Sequence, residues 1–587
     1  MTTMNNTDPY TIADRVAAYL AAQGISRVFV YPGGTIAPLV NGFERAGVQV
    51  EVFKHEQGAA YAALALARLT GQTQVVMVTS GPGVTNVLTP LADAWYDSTP
   101  LLLITGQVGT GDLNSGRRVR QLGFQEAPTS DLVRPISKSV CCPMNAEQAL
   151  AALPRLLADA VNGRPGPVVL DFPMDVQRTV CAEDVELPAV ASAVAGALAD
   201  ANADAAATAL IADIATALAA ARRPVLLLGQ GAVQPGNAQL PAMLQALVAR
   251  SQAMVVTSLP GLAAWDGDDA NCLGYIGHTG HAGANRAVHG ADLLLVLGAR
   301  LDVRQTGNLT AQFVPQGRVA WVNNDADELA HPRVKVAWSL HAEVGHTVAR
   351  LLQQLPASVG AKDTDWQTHC RLDRQADVED PANPGAIGLA PKAVLRAVAR
   401  HMAGGRGVVT TGVGSHQQWA ARHLRYAPTG WRLLTSGGHG AMGYDLPSAI
   451  GAALATPGEP VLCVVGDGSL LMNIQELASL AERGLPVKLL LLNNQRLGIV
   501  SQFQRITWGK DPSSGRFATP DFVTIARGFG LQAERVAQAG ELDAAVARLW
   551  AAPGPVLLEV AIDHDADVVP MLLAGQTMDA MWQGHSA

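Results

Sequence analysis

An aspartate and a pair of asparagines come directly after two neighbouring apolar runs, and their oxygens could bind a divalent cation. Asp467 lies between two glycines in the segment GDGS, and Asn494 ends the segment LLLLNN, 27 positions later. Mg²⁺ prefers a few protein oxygens together with phosphate oxygens. The flanking glycines would let the backbone approach a diphosphate closely. Asp-Gly alone is most often a turn, but the asparagine pair favours a metal-diphosphate site.

Two buried strands must position these residues. The apolar run VLCVV (461–465) ends at Gly466, a helical pattern comes next, and the run KLLLL (488–492) ends at the asparagines. Open parallel sheets bind ligands outside the carboxyl ends of their strands. Asp467 and Asn494 are therefore predicted to lie at the same edge of one sheet.

The same alternation runs through the whole sequence and predicts an α/β fold. Short apolar runs alternate with longer Ala-rich periodic stretches, as in parallel sheets that are buried on both faces. The first block closes at RPGPVVLDFP (164–173), a low-complexity linker is predicted at 185–209, and the second block fades into a polar stretch at 356–390. We expect three doubly wound parallel-sheet domains at 1–188, 200–356 and 385–587, with related folds in the first and third.

Composition excludes several classes of function. The 587 residues carry a net charge of −8, so the basic excess that nucleic-acid binding requires is lacking. No apolar run reaches the ~18 residues of a membrane helix, and no secretory leader pattern is present. The six cysteines show no C-x-x-C spacing, which favours a reducing, cytoplasmic location. Charged residues make up only 16%, which indicates a surface covered by subunit contacts.

The GDG and NN segments together resemble the signature of thiamine-diphosphate (ThDP) enzymes. Nearly the whole chain is similar to the catalytic large subunit of acetolactate synthase, also called acetohydroxyacid synthase. The resemblance implies a pyrimidine-binding domain, a central Rossmann-like domain and a diphosphate-binding domain. Matching segments are YPGG (31–34), HEQG (55–58), TSGPGVTN (79–86), ADAWYDSTPLLLITGQV (92–108), FQE (124–126), RPGPVVLDFPMDV (164–176), SGGHGAMG (436–443), GDGSLLMNIQEL (466–477) and LPVKLLLLNN (485–494).

The resemblance also implies roles around the cofactor. Asp467, Asn494 and the backbone carbonyl of Arg496 would hold the Mg²⁺ that binds the ThDP diphosphate. Glu56 opens a helical pattern too apolar to be exposed, and it would hydrogen-bond the aminopyrimidine and so promote loss of the thiazolium C2 proton. Met442 matches the side chain that keeps the cofactor V-shaped. Further implied contacts are Gly414, Ser415, His416, Gly440, Gly466, Gly468 and Ser469.

Residues near the reacting carbon are implied in the first block. Phe124 and Gln125 match a pair that lines this carbon, and Gln125 could donate a hydrogen bond to a developing alkoxide. Gly34 would leave room there and offer a backbone N–H. Simple pyruvate decarboxylases of this superfamily carry a His-His pair, which this sequence lacks. Carbon–carbon bond formation is therefore favoured.

Three further positions concern the second substrate. Arg304 matches the arginine that meets the carboxylate of an acceptor 2-oxo acid, although without the resemblance an ordinary ion pair explains it equally well. Phe503 stands where the biosynthetic enzymes place a tryptophan, and His439 replaces the usual leucine beside the cofactor. We therefore expect an altered acceptor pocket.

Positions in and beside the central block match contacts to FAD, which many members keep as a non-redox cofactor. A lone GxG is weak evidence, but several positions match together. Asn323 replaces an acidic residue that is common there, and catabolic relatives bind no flavin. The matching positions are Arg164, Gly229, Gly231, Gly280, Arg300 and Asp325.

The resemblance implies an enzyme of the transferase or lyase type that decarboxylates pyruvate and transfers the two-carbon unit to a second carbonyl. Alternatives are a carboligase acting on another ketone, such as a nucleotide-linked sugar in branched-sugar pathways, and a 2-oxo acid decarboxylase without ligation. An FAD- or NAD-dependent oxidoreductase lacks support, since no G-x-G-x-x-G comes after a predicted strand. Glu56 and the metal pair argue against a non-catalytic binding protein. Family members enclose ThDP between opposite subunits, which implies a homodimer or homotetramer.

Overall fold

The computed structural model describes residues 9–114, 116–182, 205–233, 235–357, 359–376, 388–510, 515–516 and 518–584. Within these ranges, no helix combines the length and apolarity that a bilayer crossing requires. Cysteines 141, 142, 181, 272, 370 and 463 are all free thiols.

Three sheets of six strands form the frame, and all neighbouring strands within them are parallel. The first sheet contains β1 (Arg27–Val30), β2 (Gln49–Val52), β3 (Gln74–Val78), β4 (Leu101–Gln107), β5 (Ser139–Cys141) and β6 (Pro167–Pro173). The central sheet contains β7 (Pro224–Leu228), β8 (Met254–Thr257), β9 (Cys272–Tyr275), β10 (Leu293–Leu297), β11 (Arg318–Asn323) and β12 (Trp338–His341). The third sheet contains β13 (Gly407–Thr411), β14 (Trp431–Thr435), β15 (Val461–Gly466), β16 (Val487–Asn493), β17 (Gln532–Val536) and β18 (Val556–Ala561).

The first and third sheets have the same strand order. Their orders are β2-β1-β3-β4-β6-β5 and β14-β13-β15-β16-β18-β17, whereas the central order is β12-β11-β10-β7-β8-β9. Renumbered within the sheet, the central order is that of the dinucleotide-binding Rossmann fold. The predicted fold class of three parallel α/β sheets, with related first and third folds, is confirmed.

The chain divides into two compact units. The first takes Met1–Gly196 together with Ser436–Pro457 and Asn473–Arg483, two segments that the sequence assigns to the third domain. Its helix Glu56–Thr70 is Ala-rich because helix Asp445–Ala455 approaches it closely: a Cβ on Gly451 would lie 2.0 Å from the Ala62 carbonyl oxygen. The other helices of this unit are Ile12–Ala22, Ala37–Arg45, Pro82–Tyr96, Thr129–Val133, Ala146–Val161, Met174–Gln177 and Glu476–Arg483.

The second unit contains the central and third sheets. Buried Arg422 joins them by donating from its Nε to the Thr279 carbonyl at 3.0 Å and from one Nη to the Gly280 carbonyl at 3.0 Å. Its helices are Ala205–Ala220, Leu240–Ser251, Ala282–Gly290, Val303–Thr306, Ala326–Ala330, Val344–Gln354, Thr364–Ala376, Pro391–Met402, Ser415–His423, Asp467–Met472, Gly498–Trp508, Phe522–Gly528 and Ala539–Ala551.

Two predicted connections contain helical structure. Helix Ala205–Ala220 begins inside the predicted linker at 185–209, so the linker prediction is wrong for its last five residues, while 185–204 lies outside the described residues. Helix Thr364–Ala376 occupies part of the polar stretch at 356–390. It forms because Cys370 and Gln367 lie buried on one face, where Gln367 Nε2 donates to the Gln252 carbonyl at 3.0 Å.

Candidate functional site

The carboxyl edge of the third sheet brings the predicted metal ligands together. Asp467 directly follows β15, and Asn494 directly follows the adjacent β16. The backbone N–H of Arg496 donates to Asp467 Oδ2 at 3.2 Å, so the loop after β16 is fixed on the aspartate. Asp467 and Asn494 are 2% and 4% exposed. Two oxygen-bearing side chains and the turn at Arg496 therefore form one buried cluster.

The loop after β13 completes this cluster. A Cβ on Gly498 would lie 2.7 Å from Ser415 Oγ and 3.1 Å from Asn494 Nδ2, so these two side chains flank one glycine. A Cβ on Gly466 would lie 2.9 Å from His416 Nδ1. Gly414 precedes the helix Ser415–His423, whose N-terminus suits an anion. The predicted diphosphate-contacting loop, Gly414 to His416, thus lies beside Gly466 and Asn494, and the other predicted cofactor contacts adjoin Asp467 in the chain: Gly466, Gly468 and Ser469.

The cluster has unmet electrostatic requirements. Burial raises the pKa of Asp467 to about 6, although hydrogen bonds from the Gly468 and Arg496 backbones oppose the shift. Ser415 Oγ is enclosed and has no hydrogen-bond partner among the described atoms. Since buried charges are normally paired or bind metals, both observations fit a cation with an anionic ligand. No cluster of three or more His, Cys, Asp or Glu side chains suited to a metal occurs in the described ranges.

The Arg496 side chain is engaged elsewhere. Its Nη1 donates to Asp565 Oδ1 at 2.8 Å, and the arginine side chain is only 2% exposed. This ion pair fixes the loop from the side chain, while the backbone N–H of Arg496 remains bonded to Asp467. Sequence reasoning missed Asp565, because it lies 69 positions after Arg496.

Glu56 lies buried at the start of its helix in the first unit. It is 4% exposed, and Asn86 Nδ2 donates to its Oε2 at 3.0 Å. His55 caps the helix by accepting the Gln57 N–H on its Nδ1. Asn86 was not predicted as a site residue, although it ends the TSGPGVTN segment. The structure therefore orients one side of the Glu56 carboxylate through a neutral amide.

The loops after β1 and β3 contact each other beside Gln125. Thr35 and Thr79 share a hydrogen bond between their hydroxyls at 2.9 Å, which fixes the loop that contains Gly34. A Cβ on Gly34 would meet nothing within 4 Å, as expected of a position that leaves room for a ligand. Gln125 has φ +63°, and its carbonyl oxygen would lie 2.9 Å from a Cβ on Gly81. Phe124 is 85% exposed.

Two aspartates hold the loop that contains Gly440, Met442 and His439. Asp97 accepts the backbone N–H groups of Gly437 and Gly438 at 2.8 and 2.7 Å, and Asp93 accepts the Ser436 hydroxyl at 2.9 Å. Burial and the charge of Asp97 raise the pKa of Asp93 well above its usual range. The His439 ring stacks on Tyr96 with centroids 5.6 Å apart. Both aspartates lie in the ADAWYDS segment, so motif position was the available signal.

Arg304 and Phe503 line one open cavity of about 410 Å³ in the second unit. Arg304 lies in the short helix Val303–Thr306, capped by Asp302, and it forms no ion pair with any described carboxylate. His278 lies on the same cavity, with its ring centroid 5.3 Å from that of Phe503. Sequence reasoning paired Arg304 with Phe503 but missed His278, which is 26 positions before the arginine.

The predicted FAD positions fall into separate groups. Gly229 and Gly231 pack on Gly298, at the switch point between β7 and β10 where doubly wound sheets bind ligands. Arg300 pairs with Glu328 at 3.3 Å, and the Glu328 N–H donates to Asp325. Gly280 packs instead on the Tyr275 and Ile276 backbone. Arg164 belongs to the first unit, where its Nε donates to Ser98 Oγ at 2.7 Å.

Three family models cover most of the chain. Residues 10–132 match the N-terminal TPP binding domain of thiamine pyrophosphate enzymes, residues 211–351 match their central domain, and residues 412–560 match their C-terminal TPP binding domain. The matched segments contain all three parallel sheets in part or whole.

Individual proteins are similar over nearly the full length. The chain is 35% identical to the acetolactate synthase isozyme 2 large subunit of Escherichia coli, covering 97% of this chain and 98% of that protein. It is 36% identical to a probable chloroplastic acetolactate synthase 2 of rice, covering 95% and 84%. It is 34% identical to the mitochondrial acetolactate synthase catalytic subunit of Saccharomyces cerevisiae, covering 95% and 82%.

Proposed function

The chain belongs to the thiamine pyrophosphate enzymes, and we propose that it decarboxylates pyruvate and transfers the two-carbon unit to a second carbonyl, as an acetolactate synthase does. The observation that supports carbon–carbon bond formation is the cavity with Arg304. A simple decarboxylase releases its product after one substrate, whereas a carboligase must also bind an acceptor. An arginine without a carboxylate partner is suited to the carboxylate of a second 2-oxo acid.

The buried cluster of the second unit fits the charged end of the cofactor. Asp467, Asn494 and the carbonyl of Arg496 would hold Mg²⁺, which the buried carboxylate and amide oxygens favour. Ser415 Oγ is enclosed without a partner and would donate to a diphosphate oxygen. Gly414, His416, Gly466, Gly468 and Ser469 would surround that diphosphate.

Glu56 supports the proposal from the first unit. Bound thiamine diphosphate supplies the nucleophilic carbon and the electron sink that decarboxylation requires. Glu56 would hold a proton between its carboxylate and the aminopyrimidine, and Asn86 fixes the carboxylate by donating to Oε2. Burial of Glu56 keeps bulk water away from that proton.

The remaining proposed contacts complete the reaction site. Gln125 would donate to the oxygen of the reacting carbonyl, Phe124 would cover it, and Gly34 would leave space for it. In the loop held by Asp93 and Asp97, Met442 and Gly440 would contact the cofactor and His439 would lie beside it. Arg304 and Phe503 would bind the acceptor.

FAD is proposed as a second, non-redox cofactor of the central domain. The strand order and the close glycine packing at the β7–β10 switch point support a dinucleotide there. Gly229, Gly231, Gly280, Arg300, Asp325 and Arg164 are its proposed contacts. Extraction of a flavin from the purified protein, with the absorbance of the bound flavin unchanged during turnover of pyruvate, is the expected result.

Assembly, location and exact boundaries complete the proposal. We propose a homodimer or homotetramer, supported by the low charged fraction of 16%. The domain boundaries 1–188, 200–356 and 385–587 remain predictions, as does a cytoplasmic location, which rests on the scattered free cysteines. The plant and yeast relatives, by contrast, are described as organellar proteins.

The proposed activity is tested by incubating the protein with pyruvate, ThDP and Mg²⁺ and identifying the products by mass spectrometry. Acetolactate is the expected product. Arg304→Leu should leave release of CO₂ within a few-fold of wild type and lower the yield of acetolactate about tenfold or more. Acetaldehyde as the sole product of the wild type would contradict a carboligase.

A further inference from the structure

The cavity with Arg304 contains three further hydrogen-bonding side chains that the proposed function does not use, those of His278, Asn308 and Thr507. Its walls are mostly apolar, formed by side chains such as Phe503, Ile506 and Leu572. Against these walls, the His278 ring stands beside Phe503, with an interplanar angle of 39°. A cavity this apolar leaves few places for polar groups of a ligand, so each polar side chain on it has a large effect on selectivity.

The backbone fixes His278 between two walls of the cavity. Its N–H donates to the Arg304 carbonyl at 2.7 Å, and its own carbonyl accepts the Leu572 N–H at 2.7 Å. The preceding Gly277 has φ +110°, and a Cβ there would lie 2.0 Å from the Arg304 carbonyl oxygen. His278 therefore keeps a constant position relative to Arg304, as a recognition residue must.

Within the ring, the two nitrogens have different environments. Nδ1 is enclosed and has no hydrogen-bond partner among the described atoms. Burial, with a smaller contribution from the charge of Arg304, lowers the pKa of His278 to about 4, so the ring is neutral at neutral pH. An enclosed lone pair is less unfavourable than an enclosed N–H. The proton is thus placed on Nε2, which becomes a donor to a molecule in the cavity.

The cavity, of about 410 Å³, has room for an acceptor larger than pyruvate. A small 2-oxo acid bound to Arg304 would leave much of that space to solvent, including the space near the imidazole.

We propose that His278 is a specificity-determining residue of this cavity and that it donates a hydrogen bond to an additional oxygen of the acceptor. The inference rests on the proposed carboligase activity and specifies its substrate class. The acceptor is a 2-oxo acid that carries a hydroxyl or carbonyl oxygen beyond the reacting ketone, joined by a short apolar stem that packs on Phe503. Arg304 binds its carboxylate, and His278 distinguishes it from the deoxy analogue.

The test is competition between 4-hydroxy-2-oxobutanoate and 2-oxobutanoate as acceptors, with pyruvate as donor and products measured by mass spectrometry. The wild type should favour the hydroxylated acceptor. His278→Phe keeps an aromatic ring without nitrogens, and it should lower the ratio of the two kcat/KM values about tenfold or more. His278→Gln returns an amide donor near the position of Nε2 and should restore most of the preference.

Matched variants separate this role from a structural one. His401→Phe makes the same change at an exposed histidine that stacks on Trp550, with centroids 6.1 Å apart, and should leave the ratio unchanged. His278→Leu replaces His278→Phe if the latter does not fold. Because the ratio is internal to each preparation, a general loss of active protein cancels from it.

The proposal is overturned if the wild type and the folded apolar variant give the same ratio while both form ligation products. A wild type that consumes pyruvate without ligating it to any acceptor would instead refute the proposed function, and this inference with it.

Discussion

The first and third sheets share one strand order but differ in the residues that come directly after equivalent strands. In the third sheet, Asp467 comes immediately after β15, whereas in the first sheet Thr79 comes after the equivalent β3. The asparagine after β16 likewise has no polar counterpart after β4, where Val108 stands. The same frame thus presents a buried carboxyl and a buried amide in one case and a hydroxyl and an apolar side chain in the other. Function depends on the first residues after each strand, not on the frame.

The buried carboxylate of the first unit, that of Glu56, comes after a different strand of the shared order than Asp467 does. Glu56 comes after β2 at the start of a helix, and the equivalent helix after β14 is Asp445–Ala455. These two helices pack on each other within the first unit. A helix start gives Glu56 an amide partner, Asn86, and no second carboxylate within its described hydrogen bonds. The comparison is consistent with the proposed roles, which are proton chemistry for Glu56 and cation binding for Asp467.

The largest expected effect is that of Glu56→Gln. Removing the acid should lower kcat about 10²- to 10⁴-fold, because general acid–base groups contribute this much. Binding of ThDP, measured by calorimetry, should change less than about threefold, since the amide keeps the shape of the side chain. Glu44→Gln makes the same change on the exposed face of a helix and should have no effect. If Glu56→Gln lost as much affinity for ThDP as turnover, the proposed division of roles between Glu56 and Asp467 would be contradicted.

Asp467→Ala should show the opposite pattern. Removing a metal ligand should weaken Mg²⁺-dependent ThDP binding by more than about a hundredfold. That loss exceeds the roughly 10- to 100-fold effect of removing a residue that only hydrogen-bonds a metal ligand. The control is Asp543→Ala, which removes a carboxylate that is 78% exposed and pairs with the exposed Arg400 side chain. That variant should bind ThDP within a few-fold of wild type. An affinity for ThDP equal to that of the wild type in Asp467→Ala would contradict the proposed role of Asp467 in cation binding.

Glu476 is a buried carboxyl group of the first unit whose ionisation should make the stability of the fold depend on pH. It accepts hydrogen bonds from the Lys54 backbone N–H and the Ser479 hydroxyl, and burial raises its pKa from 4.5 to about 7. The folded state therefore binds the proton more tightly than the unfolded state does. Stability from this group is complete below pH 4.5 and is lost as the pH rises toward 7.

Over that range, Glu476 should lower the free energy of unfolding by roughly 2–4 kcal/mol. Denaturation of Glu476→Gln at pH 5 and pH 8 should show a correspondingly smaller difference between the two pH values. Glu482→Gln is the control, because its side chain is 57% exposed and its ion pair with Lys54 contributes little. An unchanged pH dependence in Glu476→Gln would refute the raised pKa.

The smallest expected effect concerns the helix pair of the first unit. Gly451→Ala should destabilise by about 1–3 kcal/mol, because its Cβ cannot fit against the Ala62 carbonyl without movement of the helices. Gly528→Ala, where nothing lies within 4 Å, should be neutral or slightly stabilising. Thermal unfolding of both variants provides the measurement. Similar unfolding temperatures for the two variants would mean that the helices accommodate a Cβ at position 451 without loss of stability, which would contradict the prediction.

Periodicity and motif position predicted much of this architecture. The runs VLCVV and KLLLL are strands β15 and β16, and Glu56 opens its helix as expected. Helix Thr364–Ala376 was not predicted, because its stability depends on contacts with a distant segment that includes Gln252. Local pattern contains no information about such partners.

The site shows the same limit. Asp467 and Asn494 could be paired from sequence because adjacent strands place them together. Asn86 and Glu476 could not, since their partners Glu56 and Lys54 lie 30 and 422 positions away. His278 was missed for a related reason: its position on the cavity depends on backbone hydrogen bonds to Arg304 and Leu572.

The division between the two sheets is tested most directly by hydrogen–deuterium exchange at the C2 position of bound ThDP, without substrate and at saturating cofactor and Mg²⁺. Wild type should exchange rapidly. In Glu56→Gln with the cofactor bound, exchange should be slower than in the wild type by about a hundredfold or more. In Asp467→Ala, the fraction of ThDP that remains bound should exchange at the wild-type rate. Wild-type exchange in Glu56→Gln would contradict the assignment of cofactor activation to the first sheet.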